Sequence, residues 1–310
     1  MAKPKSRKGA SQPEQPTLFP MPPPVVVEPE LKKPKHPVWT ENKALLIQRY
    51  LFYFVLVTKH GTYIDGFAGP QDPSKPDLWA ARLVLESRPR WLRQLVFVEK
   101  NKRKVKLLNA LVASQPARDK KKEPRRDVEV LRGDCNVAVA EWFNSGKLKK
   151  DDATFCLLDQ RTFECDWATV QAVASHRTKQ FKVEQFYFLA NAWLERAIAG
   201  AKTAKGKGRI TKWWGRDDWA ELRKLDAWGR AFLLCKRFRE ELGYKSAKPW
   251  PIYEKASGGK IMYFMIHATD HPEAPKLMAR AYNRAVHAPE PLEQLTLDAL
   301  LKEAPDETVH

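Results

Sequence analysis

The segment Tyr63–Pro70 carries the residues whose types and spacing most directly predict chemistry. It reads Tyr-Ile-Asp-Gly-Phe-Ala-Gly-Pro, so an acid at the end of an apolar run leads into a turn with two glycines. Glycine lets the backbone come close to a bound molecule, and such turns bind ligands at the carboxyl edge of open α/β sheets. The spacing differs from the dinucleotide pattern G-x-G-x-x-G, because no third glycine opens the next helix. We therefore expect a small-molecule site at Asp65, Gly66, Phe67 and Gly69.

Acidic residues also end two later apolar runs. Glu99 closes Leu95–Val98, and Asp134 lies in the sequence Gly-Asp-Cys-Asn that follows Val128–Leu131. A carboxylate at the end of the second strand accepts hydrogen bonds from both hydroxyls of a ribose, and Asp134 would reach the adenine edge. A single acid at a strand end is more often a helix N-cap than a ligand. Three acids in register at the ends of consecutive strands predict a site for S-adenosylmethionine (SAM). The predicted site residues are Asp65, Gly66, Phe67, Gly69, Glu99 and Asp134.

Short strands that alternate with helices must position these residues. The apolar runs predict five strands, and helical spacing of apolar residues predicts the helices between them. This alternation is typical of right-handed βαβ units and a parallel sheet. The predicted strands are 62–65, 95–99, 128–131, 154–159 and 185–189, and the predicted helices are 39–54, 78–87, 102–113, 138–144 and 167–175.

The C-terminal third has a different pattern. It predicts a helix over 217–241, strands over 251–256 and 261–268 joined by a turn with two glycines, and a helix over 273–286. Five parallel strands followed by a hairpin match the sheet of class I methyltransferases. The predicted fold is therefore α/β and Rossmann-like, with a mostly parallel seven-stranded sheet and a C-terminal antiparallel hairpin.

The domain organisation follows from composition. Residues 1–38 contain ten prolines and are predicted to form a disordered, Pro-rich basic tail. Residues 39–290 are predicted to form the methyltransferase-like α/β domain, with 177–216 as a basic insertion or lid. Residues 291–310 are predicted to be a C-terminal tail with a short helix.

Three segments hold the whole formal surplus charge of +18. Residues 1–38 have seven basic and three acidic side chains, residues 101–126 have ten and two, and residues 200–216 have six basic and no acidic ones. Charge runs are usually solvated surface, but this concentration favours contact with a phosphate backbone. The sequence predicts nucleic-acid binding by Lys120, Lys121, Lys122, Arg125, Arg126, Lys205, Lys207 and Arg209.

Two aromatic features have alternative interpretations. Trp213, Trp214 and Trp219 adjoin the basic segment 200–216, where they could stack on bases, although tryptophans at helical spacing are more often core. In the tail, Gln15–Phe19 resembles the Q-x-x-L-F peptides that dock bacterial DNA enzymes on the replicative sliding clamp. Such a peptide places a Leu-Phe anchor in an apolar pocket. The sliding clamp is therefore a candidate partner.

The motifs together resemble the three-Cys-motif partner proteins, the TcmP family. The resemblance covers residues 36–290 and rests on motifs in matching order. These are the helix 39–54, Y-I-D-G-F-A-G-P at 63–70, F-V-E-K at 97–100, G-D-C-N at 133–136, F-C-L-L-D at 155–159, Trp167, W-W-G at 213–215 with Trp219, and H-A-T-D at 267–270. It implies a class I SAM-dependent methyltransferase fold and, as a partner, a radical-SAM-like three-Cys-motif protein.

The chain departs from that family after the fourth strand. The family usually reads D-P-[FY]-G, whereas Asp159 is followed by Gln160, Arg161 and Thr162. In amino-methyltransferases the comparable turn presents hydrogen-bond acceptors to the target nitrogen and stacks an aromatic ring on its base. Asp159 remains as the catalytic candidate, and Phe163 as the candidate stacking ring. The alternative is a degenerate pocket that transfers no methyl group.

Two functions are therefore predicted. The first is a SAM-dependent methyltransferase that acts on nucleic acid, and the alternative is a non-catalytic nucleic-acid-binding partner in a phage-defence or mobile-element module. The separated cysteines, Cys135, Cys156, Cys165 and Cys235, do not have the spacing of a metal site, so no metal is predicted. The absence of a long apolar run or an apolar leader predicts a cytoplasmic protein.

Overall fold

Strands and helices alternate through most of the chain in the computed structural model. It describes residues 42–121, 123–149, 151–178, 180–255 and 257–285. The strands are β1 (Gly61–Asp65), β2 (Leu92–Glu99), β3 (Asp127–Arg132), β4 (Thr154–Leu158), β5 (Arg177–Thr178), β6 (Phe181–Lys182), β7 (Glu184–Leu189), β8 (Ser246–Lys255) and β9 (Gly258–Thr269).

The helices connect the strands and cover both faces of the sheet. They are α1 (Lys43–Thr58), α2 (Ala80–Glu86), α3 (Lys102–Ala113), α4 (Cys135–Asn144), α5 (Trp167–Ser175), α6 (Asn191–Gly200), α7 (Ala204–Trp214), α8 (Ala227–Glu240) and α9 (Ala274–Arg284). Two short 3₁₀ helices, Pro76–Leu78 and Asp217–Lys224, precede α2 and α8. None of the helices in the described ranges is both long and apolar enough to cross a membrane.

The main sheet of the described residues has seven strands in the order β3-β2-β1-β4-β7-β9-β8. Pairing is parallel from β3 to β7, and β9 runs antiparallel to both β7 and β8. This order, with an antiparallel last strand inserted before the edge, is the class I methyltransferase fold. The prediction of a mostly parallel seven-stranded sheet with a terminal antiparallel hairpin is confirmed.

The strand order reverses between β1 and β4. The chain passes from β1 outward to β2 and β3, and then returns to place β4 on the other side of β1. Helices that leave the two central strands in opposite directions open a crevice at their carboxyl ends, which is where such sheets bind ligands. In register, Asp65 at the end of β1 lies opposite Leu157 of β4 and Phe97 of β2.

Each face of the sheet has its own apolar core. One includes the buried rings of Tyr50 and Tyr53 on α1 and Tyr282 on α9. The other includes Trp142 on α4 and Phe238 on α8, among others. Both cores hold the sheet rigid, so the side chains that follow the strand ends have fixed positions.

The C-terminal third differs from its predicted boundaries. The helix predicted over 217–241 is two elements, because Asp226 caps α8 by accepting a hydrogen bond from the Gly229 amide at 2.6 Å. The hairpin strands are longer than predicted, and the small β5–β6 hairpin was not predicted. Within the segment 177–216, β7 is a central strand, and α6 and α7 follow it. The interpretation of this segment as a basic insertion or lid stays a prediction. The predicted tails, 1–38 and 291–310, and the Gln15–Phe19 peptide lie outside the described residues.

Candidate active site

The turn after β1 holds a buried carboxylate. The side chain of Asp65 accepts hydrogen bonds from the Phe67 amide at 2.9 Å and from the Tyr63 hydroxyl at 3.2 Å, and the residue is 2% exposed. Burial and, to a smaller extent, the negative charge of Asp159 raise the pKa of Asp65 to about 7, against the opposing effect of the Phe67 amide. Gly66 is required here, because a Cβ atom would lie 2.6 Å from Cys135 Sγ.

The raised pKa of Asp65 makes stability depend on pH. Its ordinary value is 3.8, so between pH 3.8 and 7 the folded protein holds a proton that the unfolded chain has released, and stability falls as pH rises. From pH 5 to pH 8 the free energy of unfolding falls by about 3 kcal/mol, at about 1.4 kcal/mol per pKa unit. We expect urea titrations to show this loss in the wild type and not in Asp65→Asn. The exposed Asp77→Asn should behave as the wild type, and a pH dependence unchanged in Asp65→Asn would contradict the assignment.

Glu99 and Gly69 are in direct contact. The Gly69 amide donates to Glu99 Oε2 at 3.1 Å, and the Asn101 amide donates to Glu99 Oε1 at 2.6 Å. A Cβ atom at Gly69 would overlap Glu99 Oε2 and lie 2.7 Å from Lys104 Cδ, so only glycine allows this approach. Each carboxylate oxygen accepts one bond within the chain and has a second lone pair available for a ligand hydroxyl.

Asp134 is the N-cap of α4. Its Oδ1 accepts a hydrogen bond from the Asn136 amide at 3.0 Å, and its Oδ2 pairs with Lys100 Nζ at 2.8 Å. The pKa of Asp134 is lowered because these donors outweigh the opposing effect of burial. Asp134 is thus held in the N-cap role that a single acid at a strand end usually has, and its adenine contact stays a prediction.

Asn136 connects two loops at this edge, and sequence reasoning gave it no role. Its Nδ2 donates to the Glu164 carbonyl at 2.8 Å, and its Oδ1 accepts from the Asp166 amide and the Thr169 hydroxyl, both at 2.8 Å. The loop after β3 is therefore tied to the loop after β4. The available signal was its place in the Gly-Asp-Cys-Asn motif.

Asp159 follows β4 and pairs with a lysine that sequence reasoning missed. Lys43 Nζ lies 2.8 Å from Asp159 Oδ1 and 2.7 Å from Oδ2, and Gln71 Nε2 donates to Oδ2 at 3.4 Å. The side chains of Lys43 and Asp159 are 7% and 12% exposed. The Lys43 ammonium also lies 5.2 Å from the ring centroid of Phe188 and 5.0 Å from that of Tyr263. The sequence feature that could have identified Lys43 is its position as a charged residue among the buried positions of an apolar helix.

Gln160 occupies the position at which the TcmP proteins, which the sequence resembles, usually have proline. Its buried side chain accepts hydrogen bonds from the amides of Glu164 at 3.1 Å and Cys165 at 3.0 Å, and its Nε2 donates to the Phe188 carbonyl at 3.3 Å. The Arg161 amide donates to Glu164 Oε2 at 2.9 Å. These bonds close the loop without the rigid ring that a proline would supply.

The aromatic candidates for stacking are mostly core residues. Phe163 is buried with its ring centroid 4.8 Å from that of Trp213, so its expected role as the stacking ring is wrong. Trp213 and Trp214 are each 2% exposed, which confirms the core alternative for both. Trp219 is partly buried, and its Nε1 donates to the Thr211 hydroxyl at 3.0 Å.

The predicted site residues gather around a narrow cleft. Asp65, Phe67, Gly69 and Asp159 line it together with Lys43, Gln71 and Trp79, and it holds about 30 Å³ of free space, roughly one water molecule. Glu99 adjoins it through Gly69, whereas Asp134 is not part of its lining. Within the described part of the chain, no group of three or more His, Cys, Asp or Glu side chains could hold a metal ion.

The predicted basic contacts lie at opposite edges of the sheet. Lys205, Lys207 and Arg209 are exposed on α7, and Arg209 Nε donates to the Phe163 carbonyl at 3.1 Å, so this helix borders the loop after Asp159. The described residues 118–121 and 123–126 precede β3 and lie at the amino edge. There Lys120, Lys121 and Arg125 are exposed and Arg126 is partly buried, while Lys122 lies outside the described residues.

Among known proteins, this chain has a distant likeness to solved structures. No protein-family model and no curated protein matches this chain. Among the solved structures that match is the plantazolicin methyltransferase BamL in complex with triazolic desmethylPZN analog and SAH. The sequence identity is 8%, with 82% of this chain and 81% of that chain covered and a TM-score of 0.38. The strand order described above, and not this likeness, identifies the fold.

Proposed function

We propose that this protein is a SAM-dependent methyltransferase that acts on nucleic acid. The observation that carries the proposal is the pair of carboxylates at the switch point of the sheet: Asp65 ends β1, Asp159 follows β4, and both line one cleft. Glu99 adds a hydrogen-bond acceptor at the end of β2, and it contacts the turn after β1 through the Gly69 amide. Open α/β sheets bind their ligands at this place.

The donors and acceptors around the cleft fit SAM, although the cleft must widen to admit it. Ligand pockets usually hold about 300–1,000 Å³, and the present 30 Å³ is limited by the Lys43 and Gln71 side chains that reach Asp159. Rotation of these two flexible side chains away from Asp159 would widen it. Glu99 would accept hydrogen bonds from the ribose hydroxyls, and the backbone of Gly66–Gly69 would lie beside the ligand. When bound, SAM supplies an electrophilic methyl group on sulfur.

Asp159 would position the methyl acceptor. Its carboxylate now accepts hydrogen bonds from an ammonium and an amide, which shows that it can accept from N–H groups in this position. An amino group of a base could take the place of Lys43 and be held in line for transfer, and most of the catalysis would come from this positioning. The acid can also take up the proton that the nitrogen loses.

The exposed cations of α7 support nucleic acid as the target. Lys205 and Lys207 lie on the helix whose Arg209 contacts the loop after Asp159, so a phosphate backbone held there would bring its bases near the cleft. In the same proposal the chain acts as a three-Cys-motif partner protein beside a radical-SAM-like protein. Docking on the sliding clamp through Gln15–Phe19 is a further part of it. A non-catalytic nucleic-acid-binding partner is the competing proposal, favoured by the closed cleft.

Calorimetry with SAM tests the cofactor site. We expect Glu99→Gln to bind SAM about tenfold or more weakly, because a charged hydrogen bond contributes about 1.5–3 kcal/mol. The matched control is Glu141→Gln on the exposed face of α4, which should bind as the wild type does.

A second titration separates ligand recognition from local structure. An analogue of SAM without ribose hydroxyls should bind more weakly than SAM to the wild type, and nearly equally to Glu99→Gln. If both proteins discriminate equally, Glu99 does not contact the ribose. If the wild type binds neither compound, the methyltransferase proposal fails and the nucleic-acid-binding partner remains.

A further inference from the structure

A second cavity lies at the amino edge of the sheet, opposite the candidate active site. It is bordered by the end of α2, the chain before β2, the segment after α3 and the start of β3, is open to solvent on one side, and has a volume of about 370 Å³. This is within the range of small-ligand sites. Its apolar wall includes Leu85, Val112, Pro116 and Val128, and its polar wall includes Arg90, Arg118, Glu123, Arg125 and Arg126.

The polar wall carries an excess of positive charge. Four arginines face one carboxylate, Glu123. Its Oε1 is 2.5 Å from the Arg88 guanidinium, and its Oε2 is 3.5 Å from that of Arg90 and is buried without a hydrogen-bond partner among the described residues. Arg125 pairs with Asp127 at 3.5 Å. Among the described residues no carboxylate within ion-pair distance of Arg126 is found; its Nη1 donates to the Leu85 carbonyl at 3.1 Å.

Two of these guanidinium groups have unused donors. The side chain of Arg90 is 6% exposed, and the Nε atoms of Arg90 and Arg126 are buried with no hydrogen-bond acceptor in the described part of the chain. The hydrogen bonds that the Nη1 and Nη2 atoms of Arg90 donate are long, at 3.4 Å to the Pro116 carbonyl and 3.5 Å to Gln115 Oε1. A buried donor without a partner is costly. Burial, together with the positive charge of the nearby Arg90, lowers the pKa of Arg126 to about 10.

We propose that this arginine cavity binds a phosphate group. Guanidinium groups bind phosphate through paired N–H···O bonds, and three acceptor oxygens can satisfy donors from several arginines at once. A dianion also matches the charge of the wall better than a carboxylate would. The phosphate could belong to the end of a nucleic-acid strand or to a small phosphorylated compound, and this proposal does not depend on methyl transfer.

Binding of inorganic phosphate at constant ionic strength tests the cavity. We expect the wild type to bind phosphate measurably by calorimetry and Arg126→Gln to bind at least tenfold more weakly. The matched control is Arg103→Gln, which removes the same charge from the exposed face of α3 and should bind as the wild type does. Equal weakening in both variants would show a general charge effect and overturn the proposal, as would an absence of binding to the wild type.

Two further variants cover the case in which Arg126→Gln does not fold. Arg126→Lys keeps the charge but not the paired geometry, and Arg118→Gln changes an exposed residue at the rim. Each should weaken phosphate binding severalfold, and unchanged affinity in both would overturn the proposal.

The source of the phosphate is tested with two oligonucleotides of one sequence, one with a 5′-phosphate and one with a 5′-hydroxyl. A preference for the 5′-phosphate that Arg118→Gln loses would assign a strand end. Equal affinity, with phosphate binding retained, would assign a small compound.

Discussion

Replacing Asp159 by asparagine is expected to reduce methyl transfer about 100-fold or more, while the dissociation constant for SAM changes less than about threefold. Asp159 is the side chain at the end of β4 that accepts hydrogen bonds from two nitrogen groups in the cleft. A positioned acid or base typically contributes 100- to 10,000-fold to a rate. An interaction that is strongest in the transition state affects turnover more than ground-state binding. A tritiated-methyl transfer assay on bulk nucleic acid measures the first quantity, and calorimetry measures the second.

The stability of this variant needs its own control. In Asp159→Asn the buried Lys43 ammonium loses its carboxylate partner and lies beside a neutral amide and the rings of Phe188 and Tyr263; removal of one partner of a buried ion pair costs about 3–5 kcal/mol. The double variant Lys43→Met with Asp159→Asn removes the orphaned charge. We expect it to regain stability and to remain inactive. Recovery of methyl transfer in the double variant would show that the acid is not required and would contradict the prediction.

Replacing Gly215 by alanine is expected to destabilise the fold by about 3 kcal/mol or more. Gly215 ends α7 at φ +77°, and a Cβ atom there would lie 2.6 Å from Trp167 Cδ1. The Trp167 ring is buried, with the Arg237 guanidinium 3.9 Å from its centroid, so it has little room to move. A left-handed backbone costs a residue with a side chain about 1–2 kcal/mol, and overpacking of a core adds about 1–3 kcal/mol.

Gly146 offers a matched control for this substitution. It has nearly the same backbone conformation, φ +74°, but among the described residues no heavy atom beyond its chain neighbours lies within 4 Å of the position of its Cβ. Gly146→Ala should therefore show the backbone cost alone, and the difference between the two variants in urea titrations measures the clash with Trp167. Equal losses of stability would mean that the ring moves aside without cost.

The positions of the strand-end residues could be predicted because they depend on local pattern and on topology. Each apolar run ends at a polar residue, and parallel strands bring their carboxyl ends to one edge. Asp65 and Asp159 therefore share a cleft in the fold that the alternation predicts. The same pattern could not predict that the Asp134 carboxylate pairs with Lys100, because an acid that caps a helix and an acid that binds a ligand have the same local sequence.

Two features could not be predicted, one because it depends on a distant contact and the other because two local structures share one apolar pattern. Lys43 and Asp159 are 116 residues apart in sequence, so nothing near either residue indicates the pair. The break before α8 depends on the backbone at Leu225 and on the cap at Asp226. One continuous helix over 217–241 would have the same spacing of apolar residues. Helical periodicity therefore does not distinguish one long helix from a 3₁₀ helix followed by a newly capped α-helix.

The bonds of Gln160 give the loop after Asp159 a property that a proline turn would lack. The Gln160 side chain holds the shape of this loop, and it can rotate away. When it does, the backbone amides of Glu164 and Cys165 lose the same acceptor, Gln160 Oε1, together. Hydrogen exchange at these two positions would then report a single opening event. We expect the amides of this loop to exchange, and the loop to lose its shape with heat or denaturant, before the sheet unfolds, whereas a proline turn would keep its shape until the sheet unfolds.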